Sequence, residues 1–143
     1  MESQEKISVA IADDHPSIRR GIRRILEKSS DISVVAEASD GQEAINVVQT
    51  YRPDVLILDI RMPVIDGITV IERLNRLNLD VLILVLSAID DPFFKLETLS
   101  RGACSFLCKD ESTRLIEVVQ RAVEGQCEEA DGSDLGLSHA KVF

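Results

Sequence analysis

Acidic, hydroxyl and basic residues stand directly after four of the five short apolar runs in this sequence. Asp13 and Asp14 follow the first run, Asp59 the third, Ser87 the fourth and Lys109 the fifth. Two carboxylates about 4 Å apart repel by roughly 4 kcal/mol at an effective dielectric constant near 20, so three together call for a cation. Oxygen ligands suit Mg²⁺, which takes one or two carboxylates and a phosphate oxygen. If the runs are neighbouring strands, their ends therefore predict a magnesium site that receives a phosphate.

A carboxylate next to such an ion can act as a nucleophile toward phosphorus. Asp59 ends the central run, and we predict that it is the sole acceptor of a phosphoryl group. The ammonium of Lys109 and the hydroxyl of Ser87 would then each bind one phosphoryl oxygen. Taken singly, these residues have plainer explanations. Asp13 and Asp14 could cap a helix, Ser87 could form a turn, and Lys109 could be a solvated charge.

The elements that would position these residues alternate regularly along the chain. Apolar runs predict five β-strands, and the middle ones are nearly continuous Val, Ile and Leu, which is typical of parallel strands covered on both faces. Segments between and after them have helical spacing. The strands are predicted at 7–12, 32–36, 55–58, 81–86 and 105–108, and the helices at 16–27, 40–51, 66–75, 92–101 and 112–124. This alternation predicts an α/β fold with a doubly wound parallel sheet, whose ligands bind at the carboxyl ends of the strands.

Composition fits one domain followed by a tail. With 143 residues and 45% hydrophobic content, the chain can bury a core without a disulfide or a metal. We predict a domain over residues 1–125 and a flexible tail or linker over 126–143, where acidic and small residues replace apolar periodicity. Cys104, Cys108 and Cys127 have no paired spacing typical of zinc sites, and we expect them to be reduced, mostly buried thiols.

Charge and hydropathy exclude several kinds of partner. The formal net charge of −9 argues against a nucleic-acid surface, so we expect no DNA binding by this chain alone. The longest apolar run is far too short to span a membrane, and the first residues, MESQEK, lack the features of a signal peptide. We therefore expect a cytoplasmic protein without a membrane partner.

Five segments of the chain resemble one known family. IADDHPSIRRGI, VVAEASDGQEAI, PDVLILDIRMPVIDG, VLSA and GACSFLCKD are similar to the receiver domains of two-component response regulators, particularly the nitrate/nitrogen-fixation regulator branch, over about residues 6–124. The resemblance implies a flavodoxin-like sheet of five parallel strands in the order 2-1-3-4-5. It also implies that Asp59 is the phosphoacceptor and that Ser87 and Lys109 bind the phosphoryl oxygens.

Further expectations about metal and switching come from this resemblance alone. Mg²⁺ would be held by Asp14, Asp59 and the backbone carbonyl of Arg61, with Asp13 acting through water. Phe106 occupies the aromatic switch position and would rotate inward as Ser87 moves toward the phosphoryl group. The resemblance also implies a sensor histidine kinase as partner, and dimerisation or another output on phosphorylation. That output would be transcription through a DNA-binding domain that these 143 residues do not include.

Two other functions remain open at this stage. A phosphatase of the haloacid dehalogenase type also uses a strand-end aspartate with Mg²⁺, but its motif has a second aspartate where this chain has Arg61. A pseudo-receiver would bind partners without being phosphorylated. Within the main interpretation, His15 is expected to be only a helix-entry residue. Ile89 and Arg61 are expected to crowd the path of attacking water and slow dephosphorylation.

Overall fold

Strands and helices alternate through the whole described part of the chain. The computed structural model describes residues 5–88 and 90–129. Its strands are β1 (Ile7–Ala12), β2 (Ile32–Ala38), β3 (Val55–Leu58), β4 (Leu82–Ser87) and β5 (Ser105–Cys108). Its α-helices are α1 (Pro16–Leu26), α2 (Gly41–Tyr51), α3 (Gly67–Arg76), α4 (Pro92–Ser100) and α5 (Leu115–Val123). All ten predicted elements are present, with ends shifted by a few residues.

The five strands form one parallel sheet in the order β2-β1-β3-β4-β5. This confirms the predicted fold class and strand order. All four residues of β3 are buried, because helices cover the sheet on both faces. The strand order reverses between β1 and β3, so the loops after these two strands diverge and leave a crevice at their carboxyl ends.

Alternate residues of the central strand β3 enter two separate hydrophobic cores. Leu56 and Leu58 of β3 face the core formed with α2, α3 and α4. Val55 and Ile57 face the other core, which includes buried residues of α1 and α5 such as Leu26. Two-residue alternation within a strand thus fixes which side chains face each helical layer.

Helix ends follow local hydrogen bonding as well as apolar spacing. Asp40 caps α2 by accepting a hydrogen bond from the Glu43 N–H at 2.8 Å, while the Glu43 carboxylate accepts from the Ser39 N–H at 2.9 Å. The fifth helix begins at Leu115 rather than at 112, because Lys109–Arg114 forms a 3₁₀ segment first. Within the described ranges no helix is long and apolar enough to cross a membrane.

The prediction of three reduced cysteines is wrong for two of them. Cys104 and Cys127 form a disulfide, while Cys108 is a buried free thiol, as expected. The sequence could not reveal this pair, because it forms only when α5 returns the chain past the start of β5. Of the predicted tail, residues 126–129 are described and continue from this return. Residues 130–143 lie outside the described part.

Candidate functional site

The residues singled out by the sequence lie at one edge of the sheet. Asp13 and Asp14 follow β1, Asp59 follows β3, Ser87 is the last residue of β4, and Lys109 follows β5. Because all five strands are parallel, these positions are at their carboxyl ends. Ser87 is also paired in register with Cys108, the residue before Lys109. Ser87 and Lys109 therefore lie at the ends of two adjacent strands.

Lys109 joins the two most buried carboxylates of the site. Its Nζ donates a hydrogen bond to Asp13 Oδ2 at 2.9 Å and lies 3.4 Å from Asp59 Oδ2. The side chains of Asp13 and Asp59 are only 1% and 7% exposed, and that of Lys109 is 21% exposed. One cation therefore faces two carboxylates in a poorly solvated place. The charge balance of the site is negative.

Asp14 and His15 complete a compact group of potential ligands. One ligand atom from each of Asp13, Asp14, His15 and Asp59 lies within 4.8 Å of the others. Within residues 5–88 and 90–129, no group donates a hydrogen bond to the buried Asp14 Oδ1, although His15 Nδ1 is 3.0 Å away. A buried acceptor without a donor is costly unless something else, such as a metal ion, satisfies it.

His15 contacts the carboxylates of the site, in addition to its predicted role at the helix entry. It occupies the N-cap position of α1, as that prediction implies, and its N–H donates to Asp13 Oδ1 at 2.9 Å. Its Nδ1 also lies 3.2 Å from the same oxygen. The imidazole is 63% exposed, so it forms the outer, solvated wall of the carboxylate group. In the sequence, only its place directly after Asp13 and Asp14 indicates that His15 lies near the site.

The pKa of Asp59 is raised above its ordinary value of 3.8, chiefly because burial disfavours the carboxylate and secondly because Asp13 repels it. Lys109 and the Arg61 N–H act in the opposite direction without cancelling this effect. For Lys109, burial by itself would lower the pKa. Its hydrogen bonds and attraction to Asp13 and Asp59 outweigh burial, so the pKa is raised and the ammonium is retained.

Backbone contacts hold Asp59 in place at the end of β3. Its N–H donates to the Ala12 carbonyl oxygen at 2.9 Å, and its Oδ1 accepts from the Arg61 N–H at 3.3 Å. The following loop folds back, so that the Gly67 N–H donates to the Ile60 carbonyl oxygen at 2.8 Å. A Cβ at Gly67 would lie 2.8 Å from the Asp59 carbonyl oxygen. The glycine in the DG pair is therefore needed for α3 to begin this close to the acceptor loop.

Three other predicted positions differ in what the structure shows of them. Ser87 is buried at the end of β4. Phe106 is also buried, and its ring packs edge-on against Phe94 at a centroid distance of 6.4 Å. The inward position of the ring is thus the one seen here. Ile89 lies outside the described residues, so the expected crowding of attacking water by this side chain stays a prediction.

Sequence reasoning missed one residue that supports the site from behind. Arg19 lies among the arginines of the polar face of α1, yet its side chain is only 17% exposed. Its Nη1 donates to the Asp13 carbonyl oxygen at 2.6 Å, and its Nε pairs with Glu37 at 3.0 Å. The guanidinium thereby ties the first loop of the site to β2. Helical spacing alone cannot distinguish this arginine from its solvated neighbours.

A comparison with protein families identifies this arrangement. The family model of the response regulator receiver domain matches residues 9–120. This chain belongs to the response regulator receiver domain family. Of the interpretations left open by the sequence, membership supports the phosphoacceptor receiver over the phosphatase and the pseudo-receiver.

Individual relatives of this receiver domain point to the same branch as the motifs. The chain is 37% identical over 123 residues to the "Probable transcriptional regulatory protein NarL" of Mycobacterium tuberculosis, which covers 85% of this chain and 57% of that protein. A solved structure of the signal receiver domain of NarL from that organism has a TM-score of 0.82 and 37% identity, covering 85% of this chain and 99% of the other.

A second solved structure describes a related receiver with a phosphate mimic. The isolated receiver domain of RcsB from Salmonella enterica serovar Typhimurium, in the presence of the phosphomimetic BeF3⁻, has a TM-score of 0.81 and 29% identity. The match covers 94% of this chain and all of that one. The receiver spans between about half and three fifths of the length of the curated relatives it matches, for example 57%, 52% and 59% of three of them.

Proposed function

We propose that this receiver domain accepts a phosphoryl group on Asp59 in a magnesium-dependent reaction. The observation that carries the proposal is the meeting of three carboxylates, Asp13, Asp14 and Asp59, within 4.8 Å, with the Lys109 ammonium on two of them. Such a site has excess negative charge, and its Asp14 Oδ1 is buried with no hydrogen-bond partner among the described residues. It suits a divalent cation and then a phosphoryl group.

The donor set fits Mg²⁺. Asp13, Asp14 and Asp59 supply carboxylate oxygens, which this hard cation prefers, and Asp14 Oδ1 is a buried oxygen that accepts no hydrogen bond within the described ranges. The family resemblance adds the backbone carbonyl of Arg61 as a ligand. When bound, the ion would neutralise the carboxylates and draw in phosphate oxygens. His15 Nδ1 belongs to the same cluster but is a nitrogen ligand, which Mg²⁺ disfavours, and we do not assign it.

Each protein group then has a defined part in the transfer. An Asp59 carboxylate oxygen attacks phosphorus, the bond between phosphorus and the donor breaks, and the donor leaves with that electron pair. Lys109 would shift from its carboxylate partners toward one phosphoryl oxygen as negative charge accumulates there. Ser87 would donate its hydroxyl to another. The product is an acyl phosphate on Asp59, and no proton transfer through His15 is required.

The partner that supplies the phosphoryl group is a sensor histidine kinase, in keeping with the receiver family. We also propose that phosphorylation alters the packing around Phe106 and favours a homodimer or another output surface. Transcription would be controlled through a DNA-binding domain outside these 143 residues, because the matched region covers only 57% and 52% of two curated relatives that are named as transcriptional regulatory proteins. A cytoplasmic location agrees with these partners.

An intact-mass experiment tests the acceptor. The protein is incubated with Mg²⁺ and a small acyl phosphate, and we expect a single phosphoryl adduct that Asp59→Asn abolishes. Asp80→Asn is the matched control, since Asp80 is exposed and precedes β4 at the opposite end of the sheet. Its adduct should equal that of the unaltered protein. A phosphorylated peptide in Asp59→Asn would refute the assignment, and continuous release of phosphate without an adduct would indicate a phosphatase.

A magnesium titration tests the metal ligands separately. Asp14→Asn should weaken Mg²⁺ binding more than Asp13→Asn, because Asp13 already uses both carboxylate oxygens, toward Lys109 and the His15 N–H. Equal losses in the two variants would contradict this order. Isothermal calorimetry without any phosphate donor keeps the measurement independent of phosphorylation.

Fluorescence anisotropy at low salt tests the expected absence of DNA binding. Electrostatic association is strongest there, so residues 1–143 should still show no tight binding to duplex DNA. Tight, salt-sensitive binding would overturn this part of the proposal.

A further inference from the structure

Residues 126–129, here called the strap, run beside the outer strand of the sheet. A left-handed turn at Gly125, with φ of 86°, ends α5 and sends the chain back toward β5. The turn is a Schellman motif, in which the Gln126 N–H donates to the Arg121 carbonyl oxygen at 2.9 Å and the Gly125 N–H to that of Ala122 at 3.0 Å. The disulfide between Cys104 and Cys127 then fastens the strap at the start of β5.

The strap occupies hydrogen-bonding groups on the free side of β5. The Glu128 N–H donates to the Cys104 carbonyl oxygen at 2.7 Å, and a Glu128 carboxylate oxygen accepts from the Phe106 N–H at 2.8 Å. The other carboxylate oxygen lies 3.2 Å from Lys95 Nζ. An edge strand with free N–H and C=O groups is a template for another strand, and these contacts cover that template.

A polar cavity of about 300 Å³ lies next to the strap. It is lined by β5 and by side chains of the strap, α4 and α5, among them Phe106, Lys95, Glu128, Gln126 and Arg121. Phe106 therefore faces two different environments: its ring packs against Phe94, and its backbone is capped by Glu128. The strap thus contacts the strand that leads directly to Lys109.

The noncovalent contacts of the strap are too few to hold it by themselves. Residues 126–129 are all exposed, so their hydrogen bonds compete with water, and ordering four residues costs conformational entropy. The disulfide removes most of this cost by keeping the two segments at a high effective concentration. Closure of the strap thus depends on the oxidation state of Cys104 and Cys127.

We propose that Cys104 and Cys127 are a redox modification site that latches the strap over the edge of β5. A dithiol reductant opens the latch: its thiolate attacks Sγ of the exposed Cys127, and Cys104 leaves as the thiolate and takes a proton. The second thiol of the reductant then releases Cys127 as a thiol and closes the reductant's own disulfide. Two electrons and two protons pass to the protein. A small-molecule disulfide reverses the reaction.

Opening the latch exposes the Phe106 N–H, the Cys104 carbonyl and the adjacent cavity. Disulfides that occur in reducing compartments are usually transient and redox-sensing rather than structural, which agrees with a latch of this kind in the proposed cytoplasmic setting. The inference does not require phosphorylation of Asp59. It therefore stands or falls separately from the proposed function.

Hydrogen exchange on the full chain, without any phosphate donor, tests the latch. In the oxidised protein the Phe106 amide should be protected, and reduction with dithiothreitol should speed its exchange about tenfold or more, while amides of β3 stay unchanged. Cys108→Ser is the matched control and should respond to reduction as the unaltered protein does. Alkylation in denaturant before reduction should modify Cys108 alone. Modification of all three cysteines after treatment with oxidised glutathione would overturn the proposal.

A variant that leaves the disulfide intact separates the latch from the strap contacts. Glu128→Ala removes the acceptor of the Phe106 N–H, so exchange at this amide should be fast even in the oxidised protein and should change little on reduction. A protected Phe106 amide in oxidised Glu128→Ala would show that the strap does not cover this edge. Equal protection of the oxidised and reduced unaltered protein would refute the latch as well.

Discussion

The carboxyl-end site and the strap both contact β5 or the residue that follows it, yet they are held by opposite means. At the site, noncovalent contacts bring together groups that partly repel, and Lys109 opposes the repulsion between Asp13 and Asp59. At the strap, one covalent bond fixes a short segment whose other contacts are few and exposed. The proposed chemistry of the site therefore requires repulsion between carboxylates that lowers stability. The contribution of the strap to stability depends on whether its disulfide is oxidised.

Reducing the disulfide is expected to have the largest effect on stability. Its two cysteines are 23 residues apart in sequence. Cross-linking a loop of this size restricts the unfolded chain by about 3 kcal/mol. The free energy of unfolding in urea should fall by about that amount in the reduced protein and in the Cys104→Ser/Cys127→Ser variant. Equal urea midpoints for oxidised and reduced protein would show that the disulfide contributes no such restriction.

Removing the Lys109 ammonium from the site is expected to have the second-largest effect on stability. Lys109→Met leaves two nearly buried carboxylates without their ammonium, and we expect a loss of about 2 kcal/mol at pH 7 in the absence of Mg²⁺. The loss should shrink in acid, where protonation of Asp59 relieves the repulsion. Lys95→Met is the matched control in the other region, because its partly exposed pair with Glu128 should contribute less than about 1 kcal/mol. Similar losses of stability in both variants would contradict the proposed difference between the site and the strap.

Neutralising the acceptor should raise stability. The pKa of Asp59 is higher in the folded protein than its ordinary value of 3.8, so folding favours the protonated form. Stability from this group is fully present below pH 3.8 and is lost as pH rises through the raised pKa. Asp59→Asn should therefore gain about 1 kcal/mol at pH 7, and the gain should vanish in acid. Urea titrations at several pH values measure this gain, with Asp80→Asn as the control. A gain that does not depend on pH would contradict the prediction.

The smallest expected effect concerns strain in the loop after Asp59. Val64 has a φ of 71° and is 77% exposed, although β-branched residues rarely adopt this left-handed conformation. Val64→Gly should relieve a strain of about 1–2 kcal/mol and lose part of that gain to chain flexibility, for a net stabilisation of about 0.5 kcal/mol. Thermal unfolding would measure it, with Val35→Gly, on a strand, as a destabilising control. A lower melting temperature for Val64→Gly would contradict the strain.

Apolar patterning determined the fold before any tertiary information was needed. Continuous Val, Ile and Leu runs can satisfy burial on both faces only as inner parallel strands, and alternation with amphipathic helices then fixes a doubly wound sheet. In such a sheet all strand ends lie at one edge. Residues as distant in sequence as Asp13 and Lys109 could therefore be predicted to converge. In the structure Lys109 Nζ lies 2.9 Å from Asp13 Oδ2.

Only the tertiary structure decided the contacts that depend on the path of the chain between elements. Whether Arg19 meets the Asp13 carbonyl depends on how α1 is rotated over the sheet, and helical spacing leaves that open. Likewise, Cys104 and Cys127 pair because the turn at Gly125 returns the chain to the start of β5. Periodicity records which face of an element is buried, since burial repeats with each turn or pleat. It does not record the trajectory of a loop, which a few dihedral angles set and the whole fold selects.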